Sequence, residues 1–219
     1  MVYRRQIGDE IVAFGHQGSV WSNAMVIYDH LTGSVWSQPY GTPIMGELED
    51  MELEFIPSTM TTWGEWRRTH PDTLAYSSEY RYITRYEADG SVLERSTIVV
   101  KYFGEVVSYP PAALRVEGTI RDTVGGLSIV VALSEPESGT LWNVFSTRLA
   151  DGTELDLISD PALPTAVLDR QSGTRWEVGH GRGIDGPLSN RPLVILPASM
   201  IFADKFPQYY PNGRTHGES

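Results

Sequence analysis

The residues best suited to chemistry lie in the segment TTWGEWRRTHPDT, which covers residues 61–73. His70 can exchange a proton near neutral pH, and Trp63 and Trp66 offer flat apolar surfaces on which a ligand could stack. A position at the end of a helix would favour the protonated imidazole. These residues form the centre of a candidate pocket. A helix end with two core aromatic residues is the plainer interpretation, and the lack of a metal or acid–base motif favours it.

Three more residues complete the candidate pocket. Trp36 and Gln38 follow the turn of an earlier predicted hairpin, in the stretch VIYDHLTGSVWSQ. Arg81 stands between two tyrosines and could line an anion site, but the alternation around it favours a solvated strand. No nucleophile or acid–base pair can be assigned, so the sequence leaves open whether the protein is an enzyme.

Asp29 and Asp169 could be taken for the carboxylate pair of a glycosidase. Each begins the same pattern of Asp, two residues, Thr or Ser, Gly, Ser or Thr, one residue and Trp. Because the same acid occupies the same hairpin twice, the pattern favours a side chain that accepts backbone hydrogen bonds in a turn. We predict structural turn roles for Asp29, Gly33, Asp169, Gly173 and Trp176.

No pattern indicates a metal or a cofactor, and we predict neither. His16, His30 and His180 are scattered over turns and lack the His-x-x-x-His spacing of a zinc or iron site. The stretch GHGRGIDG, residues 179–186, has neither the Lys-Ser/Thr ending nor the following helix of a phosphate loop. It is predicted to be a bulged turn.

The composition excludes several classes of partner. The chain has 219 residues, a net charge of −11, 41% hydrophobic residues and no cysteine. The negative charge disfavours nucleic acid and anionic membranes, and no apolar run is long enough to span a membrane. The N-terminal MVYRRQIGDE has no apolar core like that of a signal peptide, so the chain as written would be cytoplasmic.

Short alternating segments, rich in β-branched and aromatic residues and separated by turn residues, predict an all-β protein. The predicted strands are EIVAFG, AMVIYD, SVWSQ, MELEFIP, STIVVKYFG, LSIVVAL, LWNVFSTR, TELDLIS, TAVLDR, TRWEV and PLVILP. One short helix is predicted where Thr62 and Glu65 have the spacing of a capping box and Pro71 ends the helix. A second helical turn is predicted at YPPAAL, with proline in its first position.

The chain contains an internal repeat. Residues 29–72 and 169–212 share 11 identities in 44 positions at a constant offset, and these include glycines, prolines and a tryptophan. Turn residues that stay in step over this length indicate a duplicated unit of strands, hairpin and short helix. We predict a single all-β domain over residues 1–219, made of repeats at about 1–75 and 103–213. No linker separates them, so they should form one barrel-like or sandwich-like body.

The second repeat is preceded by a long lead-in, GEVVSYPPAALRVEGTIRDTVGGLSIVVALSEPESGTLW, which has no counterpart before the first. A sheet that lacks a strand exposes an unpaired edge. We expect such an edge to allow a second copy of the chain to pair there, giving a homodimer.

Several stretches together resemble a bacterial and archaeal family, the domain of unknown function DUF3179. The most specific are the YD…TGSVWSQ hairpin, TTWGEWRRTHPDT and the DTVGG turn, and the resemblance covers nearly the whole chain. The family implies no established activity. Similar members often carry a Cys-Pro-x-Cys-like motif upstream of a VYRR-like strand, in some with selenocysteine as the first residue. Since this chain begins at MVYRR, the resemblance implies a truncated selenoprotein-type member. A signal peptide upstream would place the whole protein outside the cytoplasm.

Three functions are compatible with these patterns. The first is a β domain that binds a small ligand or supports redox chemistry, with any reactive cysteine or selenocysteine upstream of Met1. The second is a structural or interaction module that uses an exposed strand edge. The third is a propeller-like fragment that binds a quinone or a sugar. The hairpin VIYDHLTGSVW suggests this, but propeller blades recur at about 40 residues, far below the offset found here.

Overall fold

The computed structural model describes residues 1–61, 63–75, 91–136 and 139–218. Its strands are β1 (Gln6–Ile7), β2 (Glu10–Ile11), β3 (Phe14–Trp21), β4 (Ala24–Asp29), β5 (Val35–Ser37), β6 (Pro43–Met45), β7 (Ser96–Tyr102), β8 (Glu105–Tyr109), β9 (Thr119–Val124), β10 (Leu127–Ser134), β11 (Leu141–Ser146), β12 (Leu157–Ser159), β13 (Ala166–Asp169), β14 (Arg175–Glu177), β15 (Gly183–Asp185), β16 (Ser199–Phe202) and β17 (Arg214–Thr215). Its helices are α1 (Trp63–Thr69), α2 (Ser91–Glu94), α3 (Pro111–Glu117) and α4 (Phe206–Tyr209), with a 3-10 turn at Ala203–Lys205 before α4. The predicted mainly β class is confirmed.

The strands form several sheets. Two four-stranded antiparallel sheets have the orders β3-β4-β5-β6 and β12-β13-β14-β15. Between them in sequence lie the β9-β10-β11 sheet and the β7-β8 hairpin, which gains β16 on one side and β17, in parallel, on the other. Each sheet of the described residues has two edge strands, so none closes into a barrel. The arrangement fits a sandwich-like body.

The two four-stranded sheets repeat the same backbone path. β4 pairs with β5 through Ile27 and Trp36, and β13 pairs with β14 through Val167 and Trp176, which are the same positions at the repeat offset. A β-bulge falls immediately before the tryptophan in both. Backbone hydrogen bonds found in both repeats, donor first, include Gly33–Asp29 and Gly173–Asp169, Gly41–Ser37 and Gly181–Glu177, and Leu53–Gly41 and Leu193–Gly181.

In both repeats an isolated β-bridge lies beyond the fourth strand of the sheet. Tyr3 forms a bridge with Phe55, as Phe145 forms one with Ile195. The predicted strands MELEFIP and PLVILP are wrong, because in each only this isolated bridge forms. Proline ends both stretches and has no amide that could extend a ladder.

Each repeat has its own hydrophobic core around a fully buried tryptophan. Trp36 packs with Ile7, Val12 and Leu53 in the first repeat. In the second, Trp176 packs in a core with these residues: Val130, Ala132, Phe145, Leu149, Leu155, Leu157, Val167, Val178 and Leu193. A third core lies between β7, β8, β9, β10 and β11. Truncation of either tryptophan to alanine would cost about 3–5 kcal/mol of stability.

Candidate functional site

The buried carboxylate of Asp29 holds its own hairpin together. Its Oδ1 accepts hydrogen bonds from the amides of Leu31 and Thr32 at 3.0 and 2.6 Å, and its Oδ2 accepts one from the Trp36 indole at 2.8 Å. Burial by itself would raise the pKa of Asp29, but these hydrogen bonds outweigh burial and hold the pKa below its ordinary value. Both oxygens are therefore engaged inside the turn.

Asp169 has the same place in the second repeat. Its Oδ1 accepts a hydrogen bond from the amide of Asp156 at 2.6 Å, and its Oδ2 accepts one from the amide of Ser172 at 2.8 Å. Here too burial would raise the pKa, and the hydrogen bonds bring it below the ordinary value. Trp176 donates instead to the backbone oxygen of Arg191 at 2.8 Å.

The turns that these acids hold contain glycine where the backbone needs it. Gly33 and Gly173 have φ angles of +73° and +71°. A side chain would be strained in this left-handed region, so the turn requires glycine in both repeats.

Helix α1 orients the aromatic part of the predicted pocket. Trp66 stacks face to face on His70, with ring centroids 3.8 Å apart and planes 8° from parallel. The Trp66 indole donates to Thr73 Oγ1 at 3.0 Å, and His70 Nδ1 lies 2.9 Å from Thr69 Oγ1. Hydrogen bonds on both rings thus fix the stacked pair at the C-terminal end of the helix.

His70 packs against a residue of the other repeat. Its ring centroid lies 6.1 Å from that of His180, with the planes 62° apart. The equivalent residues, Tyr210 and Tyr40, make the same contact at 5.9 Å and 87°. The residue after each short helix therefore packs on a turn of the opposite repeat. We call these two contacts the histidine crossing (His70 and His180) and the tyrosine crossing (Tyr210 and Tyr40).

The cavities beside the two ring pairs differ in volume. Beside Tyr40 and Tyr210 the cavity measures only about 20 Å³. The Tyr210 hydroxyl donates to the Pro39 oxygen at 2.9 Å, and burial raises the pKa of Tyr210 to about 12. The cavity beside His180 measures about 200 Å³.

A larger cleft of about 640 Å³ opens between the repeats. Two of its walls are the equivalent segments 58–60 and 198–200, so it lies where the repeats face each other. The lining residues are Met1, Val2, Ser58, Thr59, Met60, Thr61, Trp63, Trp66, Trp142, Ala198, Ser199 and Met200. The lining is apolar and aromatic with a few hydroxyl groups, and none of the described residues that form it has a charged side chain.

Two buried polar atoms at this cleft find no hydrogen-bond partner in the described part of the chain. They are Nε1 of Trp142 and Oγ1 of Thr61. Leaving a buried polar group unpaired costs about 1–3 kcal/mol.

The structure brings together part of the predicted pocket. Trp63 and Trp66 line the cleft, and His70 stacks on Trp66. Gln38 lines an adjoining hollow. The pocket is therefore centred on α1, and the hairpin of Gln38 contributes at one side.

The other predicted pocket residues lie elsewhere. Trp36 is fully buried in the first core, and Arg81 lies outside the described residues. Sequence reasoning missed Met60, Met200 and Trp142. The two methionines are identical at the repeat offset and could have been found by that signal, whereas nothing in the pattern around Trp142 pointed to a site.

Over the described ranges, no group of three or more histidine or acidic side chains is arranged to hold a metal ion. The helices in these ranges are too short or too polar to cross a membrane.

The fold and the cleft define a mainly β protein in which two repeated units enclose a tryptophan-lined site. Residues 1–92 match the model of a family described as "Protein of unknown function (DUF3179)". The resemblance seen in the sequence is confirmed over that region, which is less than half of the 219 residues. No curated protein and no solved structure gave a match.

Proposed function

We propose that the protein binds a small, flat, largely apolar molecule in the cleft between its repeats. The observation that carries this proposal is the presence of three tryptophans on a cleft bounded by two equivalent segments. Ligand pockets typically enclose about 300–1,000 Å³ and combine aromatic walls with a few polar groups. The cleft has both properties.

The exposed surface of the cleft supports the proposal. Trp63 and Met60 are 47% and 49% exposed, although side chains of this kind gain about 25 cal/mol for each Å² of apolar surface removed from water. The Arg67 guanidinium lies 6.0 Å from the centroid of the Trp63 ring. A flat ligand on Trp63 would bury apolar surface and add a stacking contact.

The redox form of the hypothesis depends on residues that the chain does not contain. There is no cysteine among the 219 residues, so thiol chemistry would require a group from outside the chain. The proposal is therefore limited to binding.

Equilibrium dialysis with the neutral probe pyrenebutyramide tests the proposal. We expect Trp63→Ala to weaken binding about fivefold to tenfold, because it removes a stacking surface worth about 1 kcal/mol and some buried area. Trp21→Ala is the matched control, since Trp21 is 41% exposed and does not line the cleft. No binding to the wild type, or equal losses in both variants, would contradict the proposal.

We also propose self-association along strand β3, which one observation favours. The outer edge of β3 pairs with no strand of the described residues, and its Val20 is 74% exposed. In the second repeat, Ser159 of the equivalent strand β12 is covered by Gly118, at which an added Cβ would lie 2.5 Å from the Ser159 hydroxyl. Gly118 thus lies close to β12, whereas Val20 on β3 is exposed.

Light scattering after size-exclusion chromatography tests the self-association. The wild type should elute as a dimer and Val20→Lys as a monomer, because a lysine on each edge places like charges together. Val116→Lys, on helix α3 at a site that is 87% exposed, should remain dimeric. A monomeric wild type at all accessible concentrations would show that the edge does not pair.

A further inference from the structure

The tryptophan cleft continues into a second hollow of different chemistry. This hollow measures about 610 Å³, and Met60 and Met200 line both spaces. Beyond these methionines the lining includes the side chains of Arg95 and Lys205. The two spaces therefore adjoin at these methionines, and we refer to them together as the groove, with an apolar aromatic end and a cationic end.

The positive charge of the second end contrasts with the rest of the molecule. The chain carries a net charge of −11, yet the charged side chains of this hollow are two cations and one acid, Asp204. Arg95 lies over the ring of Phe202 at 5.3 Å from its centroid, and Lys205 Nζ lies 3.2 Å from Asp204. Local excess positive charge in an acidic protein would concentrate anions there.

Strand β16 gives the spacing between the two ends. Ser199 and Met200 line the tryptophan cleft, and Met200, Ile201 and Phe202 line the cationic hollow. At about 3.3 Å per strand residue, the groove follows this strand for roughly 10 Å. A molecule with a ring system at one end and a charged group a few bonds away could occupy both ends at once.

We propose that the ligand of this groove is an amphipathic carboxylate, with its apolar body against the tryptophans and its carboxylate at Arg95 and Lys205. This inference rests on the proposed binding function and adds the chemical class of the ligand. Arginine and lysine form charge-assisted hydrogen bonds with carboxylates, and the aromatic end supplies apolar contact.

A matched pair of probes separates the two parts of the proposal. Pyrenebutyrate and pyrenebutyramide share the same apolar body and differ in the charge of the head group. In equilibrium dialysis of the full chain at low salt, the wild type should bind the acid about fivefold to tenfold more tightly than the amide. In Arg95→Gln/Lys205→Gln this preference should fall to about twofold or less, because the loss of charge weakens binding of the acid more than binding of the amide.

A control variant accounts for the change in net charge. Arg148→Gln/Arg191→Gln removes two exposed arginines that pair with Glu154 and Asp151, away from the groove lining, and should keep the preference for the acid. Equal binding of the two probes by the wild type, or a preference that survives in Arg95→Gln/Lys205→Gln, would overturn the anionic class and leave the binding function standing. Failure of both probes to bind the wild type would overturn the binding function itself.

Discussion

At the scale of single residues, the buried carboxylate of Asp29 accepts hydrogen bonds from donors in its turn and in the core. Amides from the turn and the indole of Trp36 all point to its two oxygens. Hydrogen bonds to a charged group contribute about 1.5–3 kcal/mol each, more than those between neutral groups. The carboxylate thus connects the turn to the core residue Trp36. The charged form of Asp29 should therefore stabilise the folded protein more than the protonated form.

Asp29→Asn should destabilise the protein by about 2 kcal/mol at neutral pH, because an amide cannot accept every donor that the carboxylate accepts. The folded-state pKa of Asp29 lies below its ordinary value. The stabilisation is therefore present above the unfolded pKa of about 4, and is lost as the pH falls through the folded pKa. Urea unfolding from about pH 7 to about pH 3 should show the wild type converging on the variant.

The control for this pH profile is Asp50→Asn, at an exposed acid. Surface substitutions of this kind usually change stability by less than about 0.5 kcal/mol. An Asp29→Asn defect that stays constant across the pH range would mean that the carboxylate charge does not stabilise the turn.

At the scale of elements, the features that the sequence predicts correctly are those governed by a few neighbouring residues. Pro71 ends helix α1 at Thr69, and Gly33 turns the hairpin between β4 and β5. Two predicted strands failed because a strand needs a partner ladder as well as alternating residues. In the two failed stretches, only Phe55 and Ile195 form a β-bridge.

The glycines of the hairpins allow a graded test of this local control. Gly33→Ala should cost about 1 kcal/mol, because the φ of +73° strains a side chain although no atom lies within 4 Å of the added Cβ. Gly46→Ala should cost more, because its Cβ would overlap the Ser34 hydroxyl and the backbone there has a φ of +120°. Urea unfolding measures both.

Gly64 in helix α1 is the control with the opposite sign. Its added Cβ meets no atom within 4 Å and its backbone is helical, so Gly64→Ala should be neutral or stabilise by up to about 1 kcal/mol. Equal destabilisation by all three substitutions would contradict the assignment of the hairpin glycines to backbone strain.

At the scale of the whole molecule, the site arises from contacts that no local pattern describes. The cleft needs residues 58–60 and 198–200 side by side, and Trp142 reaches it through a bridge with Met60. The repeat offset reveals that these segments are equivalent, but equivalence does not say that they face each other. The sequence places Trp36 in the pocket, whereas the structure buries it fully. Its burial depends on long-range packing, which the local pattern does not show.

The reciprocal crossings predict that the two repeats unfold as one unit. His70 rests on His180 and Tyr210 rests on Tyr40, so each repeat completes the packing of the other. Scanning calorimetry should therefore give a single transition whose calorimetric and van't Hoff enthalpies agree. Tyr210→Ala should lower this one transition by roughly 5–10 °C, since it removes about 2–4 kcal/mol of packing and hydrogen bonding. Tyr210→Phe, which removes only the hydroxyl that donates to Pro39, should lower it by a few degrees. Two transitions in the wild type, or a shift of only one of them in Tyr210→Ala, would mean that the repeats are independent units and that the cleft between them is not held by a common fold.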